Sequence, residues 1–158
     1  MYIVLLFVFQ DDFDVKHTWL DMKETKDNEE TTESICKSHM NMGENNRIII
    51  FSTNACLRIM AEARGLSLDC TFKSAPDGWS QIMIICAEVV PTHWVPVMFI
   101  WLPNKKRETY DMAFMGVKNC LKTLKLKLSA LYCIMDFEVG LRDSFKSVFG
   151  KKISLKGK

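Results

Sequence analysis

Two apolar runs, Gln81 to Val90 and Trp94 to Leu102, stand on either side of the tripeptide Pro91-Thr92-His93. Their β-branched and aromatic content, interrupted by a proline-bearing turn, reads as the two strands of a hairpin. Strands this apolar have to be buried, so the rest of the chain is constrained to supply the cover. Pro96 has no N–H to give to a ladder, which places the second strand at the edge of the sheet.

The cover is legible on both sides of the hairpin. Upstream, Thr53 is a candidate cap for a helix through Leu57, Met60 and Ala61 that Gly65 stops, and Leu66 to Phe72 reads as a strand. Lys73 to Ser80, with Pro76, Asp77 and Gly78, reads as a loop. Downstream, Tyr110, Ala113, Phe114, Val117, Leu121 and Leu124 recur at three- and four-residue spacing, the apolar face of a helix. Ala130 to Asp136 is then a buried strand, Leu141, Phe145, Val148 and Phe149 line another helix, and Ile153-Ser154-Leu155 begins a short strand. The expected class is α/β: a three-stranded antiparallel meander, a helix, a parallel return strand and a helix.

The first 46 residues read differently. Met1 to Phe9 is apolar, yet no basic residue precedes it and it runs into Gln10-Asp11-Asp12 without a small-residue cleavage site. An edge strand, or a misassigned start, is expected there rather than a signal peptide. From Asp11 to Asn46 ten acids stand against four Lys, and Lys23 to Glu33 has almost nothing to bury, which reads as an acidic disordered arm. The pattern turns globular at Arg47-Ile48-Ile49-Ile50-Phe51, so the expected division is an arm over 1–46 and a folded domain over 47–158.

The chemistry is concentrated in two aspartates. Asp69 stands in Leu68-Asp69-Cys70-Thr71-Phe72 and Asp136 in Ile134-Met135-Asp136-Phe137-Glu138, each at the end of an apolar run. A carboxylate beside a core is tolerated when it is paired, hydrogen-bonded or bound to a cation. Neighbouring strands would bring the two together, and clustered oxygen ligands are what hard divalent metals prefer. The bland alternative is a carboxylate that caps a strand end or, for Asp136, the following helix.

Other chemistries find little support. The six cysteines are scattered singly without a CxxC pair, which speaks against structural zinc and against a disulfide framework. Buried thiols in a reducing compartment, nuclear or cytoplasmic, are expected instead. Cys36-Lys37-Ser38-His39 brings together two zinc-ligand types, but structural zinc takes four. His93 has no neighbouring nucleophile for a triad, Cys133 lies inside a strand, and no glycine-rich phosphate loop is present. A net charge of +2 is too small to argue for nucleic acid, although Arg142 to Lys158 holds six bases against one acid.

From about Ile48 to Gly157 the chain resembles the transposase domain of Mutator-like elements (MULE). Leu68-Asp69-Cys70-Thr71-Phe72-Lys73 is similar to the family's D-G-T-F-K strand. The run Trp94 to Pro103 with Glu108-Thr109-Tyr110 is similar to its proline-bearing strand and E-T-Y block, and Ile134 to Glu138 to its T-D-F-E block. The resemblance implies a ribonuclease H-like fold and a DDE-type nuclease and strand-transferase acting on transposon ends. It also implies Mg²⁺ or Mn²⁺ held by carboxylates, with Asp69 as the first ligand and Asp136 as the second.

The family's third acid is a glutamate on a later helix, beyond a Cys-x-x-His element. Only residues 137–158 follow Asp136, so a truncated domain lacking that acid, and impaired in catalysis, is expected. Glu138 is not taken for it, since its direction depends on where the strand ends. Cys70 stands where the family has glycine, and Met135 where it has a small hydroxyl residue.

Lys118, Lys122 and Lys125 share one polar helix face, and Lys105-Lys106-Arg107 precede it. The stripe is a candidate path for DNA phosphates, or simply a solvated face. The non-enzymatic alternative is a transposon relic, a DNA- or protein-binding module or a remnant without function. No membrane partner is expected, and an uncovered sheet edge predicts self-association.

Overall fold

Gln81–Val90 and His93–Leu102 pair as a hairpin, but in the middle of a sheet rather than at its margin. The computed structural model describes residues 21–26, 29–43, 46–73 and 75–157, so the expected edge strand at Met1 to Phe9 lies outside the described residues. The elements in chain order are β1 (Asp21–Lys26), β2 (Glu29–Ser34), β3 (Cys36–Asn41), β4 (Arg47–Phe51), α1 (Asn54–Glu62), β5 (Gly65–Thr71) and β6 (Gln81–Val90). They continue with β7 (His93–Leu102), α2 (Arg107–Thr123), β8 (Tyr132–Met135), α3 (Val139–Phe149) and β9 (Ser154–Gly157). The chain is thus mixed α/β. β1 and β2 form their own antiparallel ladder, and the other strands form one sheet in the order β3-β4-β7-β6-β5-β8-β9.

β5, β6 and β7 are the antiparallel meander, β8 returns parallel to β5, and β9 lies parallel to β8. Alternation along each strand sorts the sheet into two faces. Ile48 and Ile50, Leu66 and Leu68, Met83 and Ile85, and Cys133 and Met135 all enter one core with the three helices. Leu57 and Met60 of α1, Phe114 and Val117 of α2, and Leu141 and Phe145 of α3 fill the other side of that core. Phe114 meets Phe145 edge-on at 5.4 Å.

The intervening residues Ile49, Phe51, Ile82 and Trp101 point the opposite way, and among the described residues no helix joins their cluster. The loop after β5 folds over it instead. Trp79 sits edge-on to Trp101 at 5.0 Å, and its Nε1–H donates to the Arg47 carbonyl at 3.1 Å.

Local chemistry explains the element ends. Thr53 caps α1 as expected, its Oγ1 accepting from the Cys56 N–H at 3.0 Å. α2 ends with Lys125 left-handed at φ 57° while the Leu126 N–H reaches back to the Leu121 carbonyl at 2.9 Å. α1 stops at Glu62 with Ala63 as its cap, so Gly65 is not the stop that was expected. Gly65 opens β5, where a Cβ would overlap the Tyr132 ring. That ring crosses it to donate its hydroxyl to Glu88 Oε2 at 2.5 Å.

Two further expectations are corrected. Pro96 does not mark an edge, because β4 meets β7 only at Phe99, Ile100 and Trp101 and the β6 register shifts between Ile85 and Cys86, next to Pro96. A proline at such an irregularity gives up no ladder bond. Ser52 Oγ meanwhile donates to the Val97 carbonyl at 2.8 Å. The described part of the acidic arm carries the strands β1, β2 and β3. β1 and β2 satisfy each other's backbone groups, which needs no core. Ile35 is buried and Met40 and Met42 pack on the main core, so β3 joins the sheet outside β4.

Candidate active site

β5 and β8 are paired at Gly65↔Tyr132, Leu66↔Cys133 and Ser67↔Ile134. The same register, carried on along both strands, sets Asp69 level with Asp136, the first residue after β8. Adjacent strands run about 4.8 Å apart, so the two carboxylates belong to one locality. Asp69 is directly opposite Ile84, which packs in the cluster that no helix covers. Leu68 and Met135, one residue earlier, are in the core.

Both aspartates are exposed. The premise that they are charges lodged beside a core is therefore corrected: a one-residue step on a strand moves a side chain to the opposite face. Capping does not account for Asp136 either, since the N-cap of α3 is Glu138.

The connections point to the same place. After β5 the chain moves to β6 on one side, and after β8 it moves to β9 on the other. The carboxyl ends of β5 and β8 thus lie where the connections leave the sheet in opposite directions, a kind of place where ligands are received in open α/β sheets.

Cys70 registers what surrounds it. Burial pushes its thiol up to about 12, the carboxylates of Glu138, Asp69 and Asp136 push the same way, and Lys105 pulls it down. Three acids and one base therefore lie within electrostatic reach of one sulfur. Glu138 makes no capping bond. It accepts from the Tyr110 hydroxyl, whose ionisation is raised first by burial and then by this carboxylate. Gln81 Nε2 donates to the same Tyr110 oxygen at 2.9 Å.

Tyr110 and Gln81 were missed as site residues in the sequence, and Glu138 was set aside there. Tyr110 follows the apolar helical period and Gln81 opens an apolar strand, so only the tertiary structure reveals their hydroxyl and amide as partners. Gln81 is nevertheless a polar side chain at the head of an otherwise apolar run, which is a usable signal.

The six basic candidates divide. Lys105 belongs with the carboxylates, its Nζ 3.7 Å from the centroid of the exposed Phe72 ring. Lys106 is the N-cap of α2, its N–H bound to Asn104 Oδ1 at 2.9 Å. Arg107 spans Asp111 and Asp143, each at 3.9 Å, and links α2 to α3. Lys118, Lys122 and Lys125 rim a cleft of about 580 Å³ floored by Leu121, Val148 and Phe149. Lys118 Nζ donates there to the Val148 carbonyl at 2.9 Å. Since α2 has 17 residues, that end lies about 25 Å from its start, and the six bases form no single stripe.

The donor chemistry at the crevice suits a hard cation. Asp69 and Asp136 offer oxygens, and Cys70 is held as the thiol, whereas the thiolate is the form that binds metal. Among the described residues no three His, Cys, Asp or Glu side chains are grouped to hold a metal ion. Two carboxylates are nonetheless a usual protein share for Mg²⁺, which keeps several waters and takes further oxygens from phosphate. Burial raises the ionisation of the Cys133 thiol to about 12. No described helix is long and apolar enough to cross a membrane. No protein-family model matches the chain, and no curated protein matches it in sequence.

Proposed function

We propose that the crevice between β5 and β8 is a site of metal-dependent DNA phosphodiester chemistry, of the kind carried out by MULE transposases. Asp69 and Asp136 would hold Mg²⁺ or Mn²⁺. The observation that carries this reading is the parallel pairing of β5 with β8 from Gly65↔Tyr132 to Ser67↔Ile134, a register that, carried on by two residues, brings Asp69 level with Asp136. The strand order β7-β6-β5-β8-β9, three antiparallel and then two parallel, supports it, because this is the order of a ribonuclease H-like domain. In that reading β4 and β3 extend the sheet on its antiparallel side.

A bound divalent cation would supply charge neutralisation at the phosphate and activation of water or a 3′-hydroxyl. The chain's own groups set the stage for it. β5 and β8 hold Asp69 and Asp136 level, and Lys105 brings a positive charge to the same end of the sheet for the DNA backbone. The Tyr110 hydroxyl, which receives the Gln81 amide, is bound to Glu138.

The test is nicking of supercoiled plasmid in Mg²⁺ or Mn²⁺, alongside calorimetric titration with Mn²⁺. Nicking by the wild-type chain that falls to background in Asp69→Asn and in Asp136→Asn, with Mn²⁺ binding weakened in both, is the expected result. Nicking that persists in Asp69→Asn, or Mn²⁺ binding unchanged in both variants, overturns the reading and leaves a non-catalytic module.

A further inference from the structure

Two phenylalanines beside the carboxylates are left out of the core. Phe137, directly after Asp136, is 70% exposed, and Phe72, directly after β5, is 48% exposed. A single exposed apolar ring needs no explanation. These two differ in placement and company. Each follows a strand that carries or precedes one of the aspartates, so both rings lie at the same end of the sheet as the pair. Each also has a cation over it: Lys105 Nζ at 3.7 Å from the Phe72 centroid, and the Arg142 guanidinium at 5.1 Å from that of Phe137. Phe137 is seated on Gly157 at the end of β9, where a Cβ would collide with the ring.

We propose that Phe72 and Phe137 are stacking platforms for unpaired bases on either side of a phosphate at Asp69 and Asp136, so that the preferred ligand is a single-stranded or frayed DNA end. This rests on the reading of the crevice as a phosphodiester site. Bases within a duplex are already stacked and offer no free face to a side chain, whereas an unpaired base does. A phenyl ring accepts every base, so the preference is for strand state and not for sequence. Lys105 and Arg142, held over the rings, stand where the phosphates next to a stacked base would pass. An apolar protein segment would cover the rings but leave these cations and the carboxylates without a role.

The experiment is fluorescence anisotropy with a short labelled single strand and the matching duplex, in Ca²⁺ so that binding is read apart from cleavage. Phe72→Leu and Phe137→Leu keep apolar bulk and remove the π face. The expected result is that the wild-type chain prefers the single strand, and that each variant weakens that binding about tenfold while duplex binding is unchanged. DNA binding by the wild type that both variants retain in full overturns the inference and leaves the phosphodiester reading standing. No DNA binding by the wild type overturns both. Variants that change the sedimentation of the DNA-free protein, with affinity intact, assign the rings to a contact between copies and also overturn the inference.

Discussion

Leu68 and Met135 point under the helices, while Asp69 and Asp136, the very next residues, lie on the face that the described helices leave open. The two faces share their strands and differ in what each must satisfy. On the covered face the requirement is volume: Phe114, Phe145 and Leu141 have to interlock with Leu66, Ile85 and Met135. On the open face the requirement is placement, because two carboxylates are brought level by a register that the covered face maintains. The difference teaches that the core acts here as the scaffold for the acids and not as their environment.

That contrast can be broken or sharpened by substitution. The largest effect is expected at Phe145, which is fully buried against Phe114 and Phe149. Phe145→Ala should lower unfolding free energy by about 3–5 kcal/mol, read from urea denaturation, through lost transfer energy and the cavity left behind. A loss below 1 kcal/mol would mean that α3 does not clamp the sheet.

An intermediate effect is expected at Gly65, the close approach of Tyr132 to β5. Gly65→Ala should destabilise by about 1–3 kcal/mol and loosen the Tyr132–Glu88 hydrogen bond, visible as a lower melting temperature. Unchanged melting would show that the ring can step aside without disturbing the pairing of β5 with β8.

The smallest effect is expected on the open face. In metal-free protein, Asp136→Asn should move stability by no more than about 0.5 kcal/mol, the range of an exposed substitution. A loss of several kcal/mol would make Asp136 a structural residue and shift the two-face comparison toward a stability role for both faces.

How much was legible follows from what each feature depends on. The helical periods at Tyr110–Val117 and Leu141–Val148, the Thr53 cap and the hairpin around Pro91 are local patterns, and all are present in the structure. β3 was hidden because its acidic surroundings dominate the composition, while the packing of Met40 and Met42 on the core is a matter of two residues. Pro96 misled because the edge rule looks at the missing N–H alone, and whether that group would have had a partner depends on where β4 stops. The lysines of α2 looked like one stripe with Lys105 because helical spacing says nothing about which end meets the carboxylates.

Local patterns in the chain were enough for the three helices, the β6–β7 hairpin and the strands that carry Asp69 or lead to Asp136, since capping, apolar period and strand content act over a few neighbouring residues. Only the tertiary structure decided that β5 and β8 are parallel neighbours in a register that levels Asp69 with Asp136, and that both acids are exposed. It alone also joined Glu138, Tyr110 and Gln81. The physical reason is that strand pairing, register and the choice of face are set by contacts between residues far apart in the chain, which local periodicity does not encode.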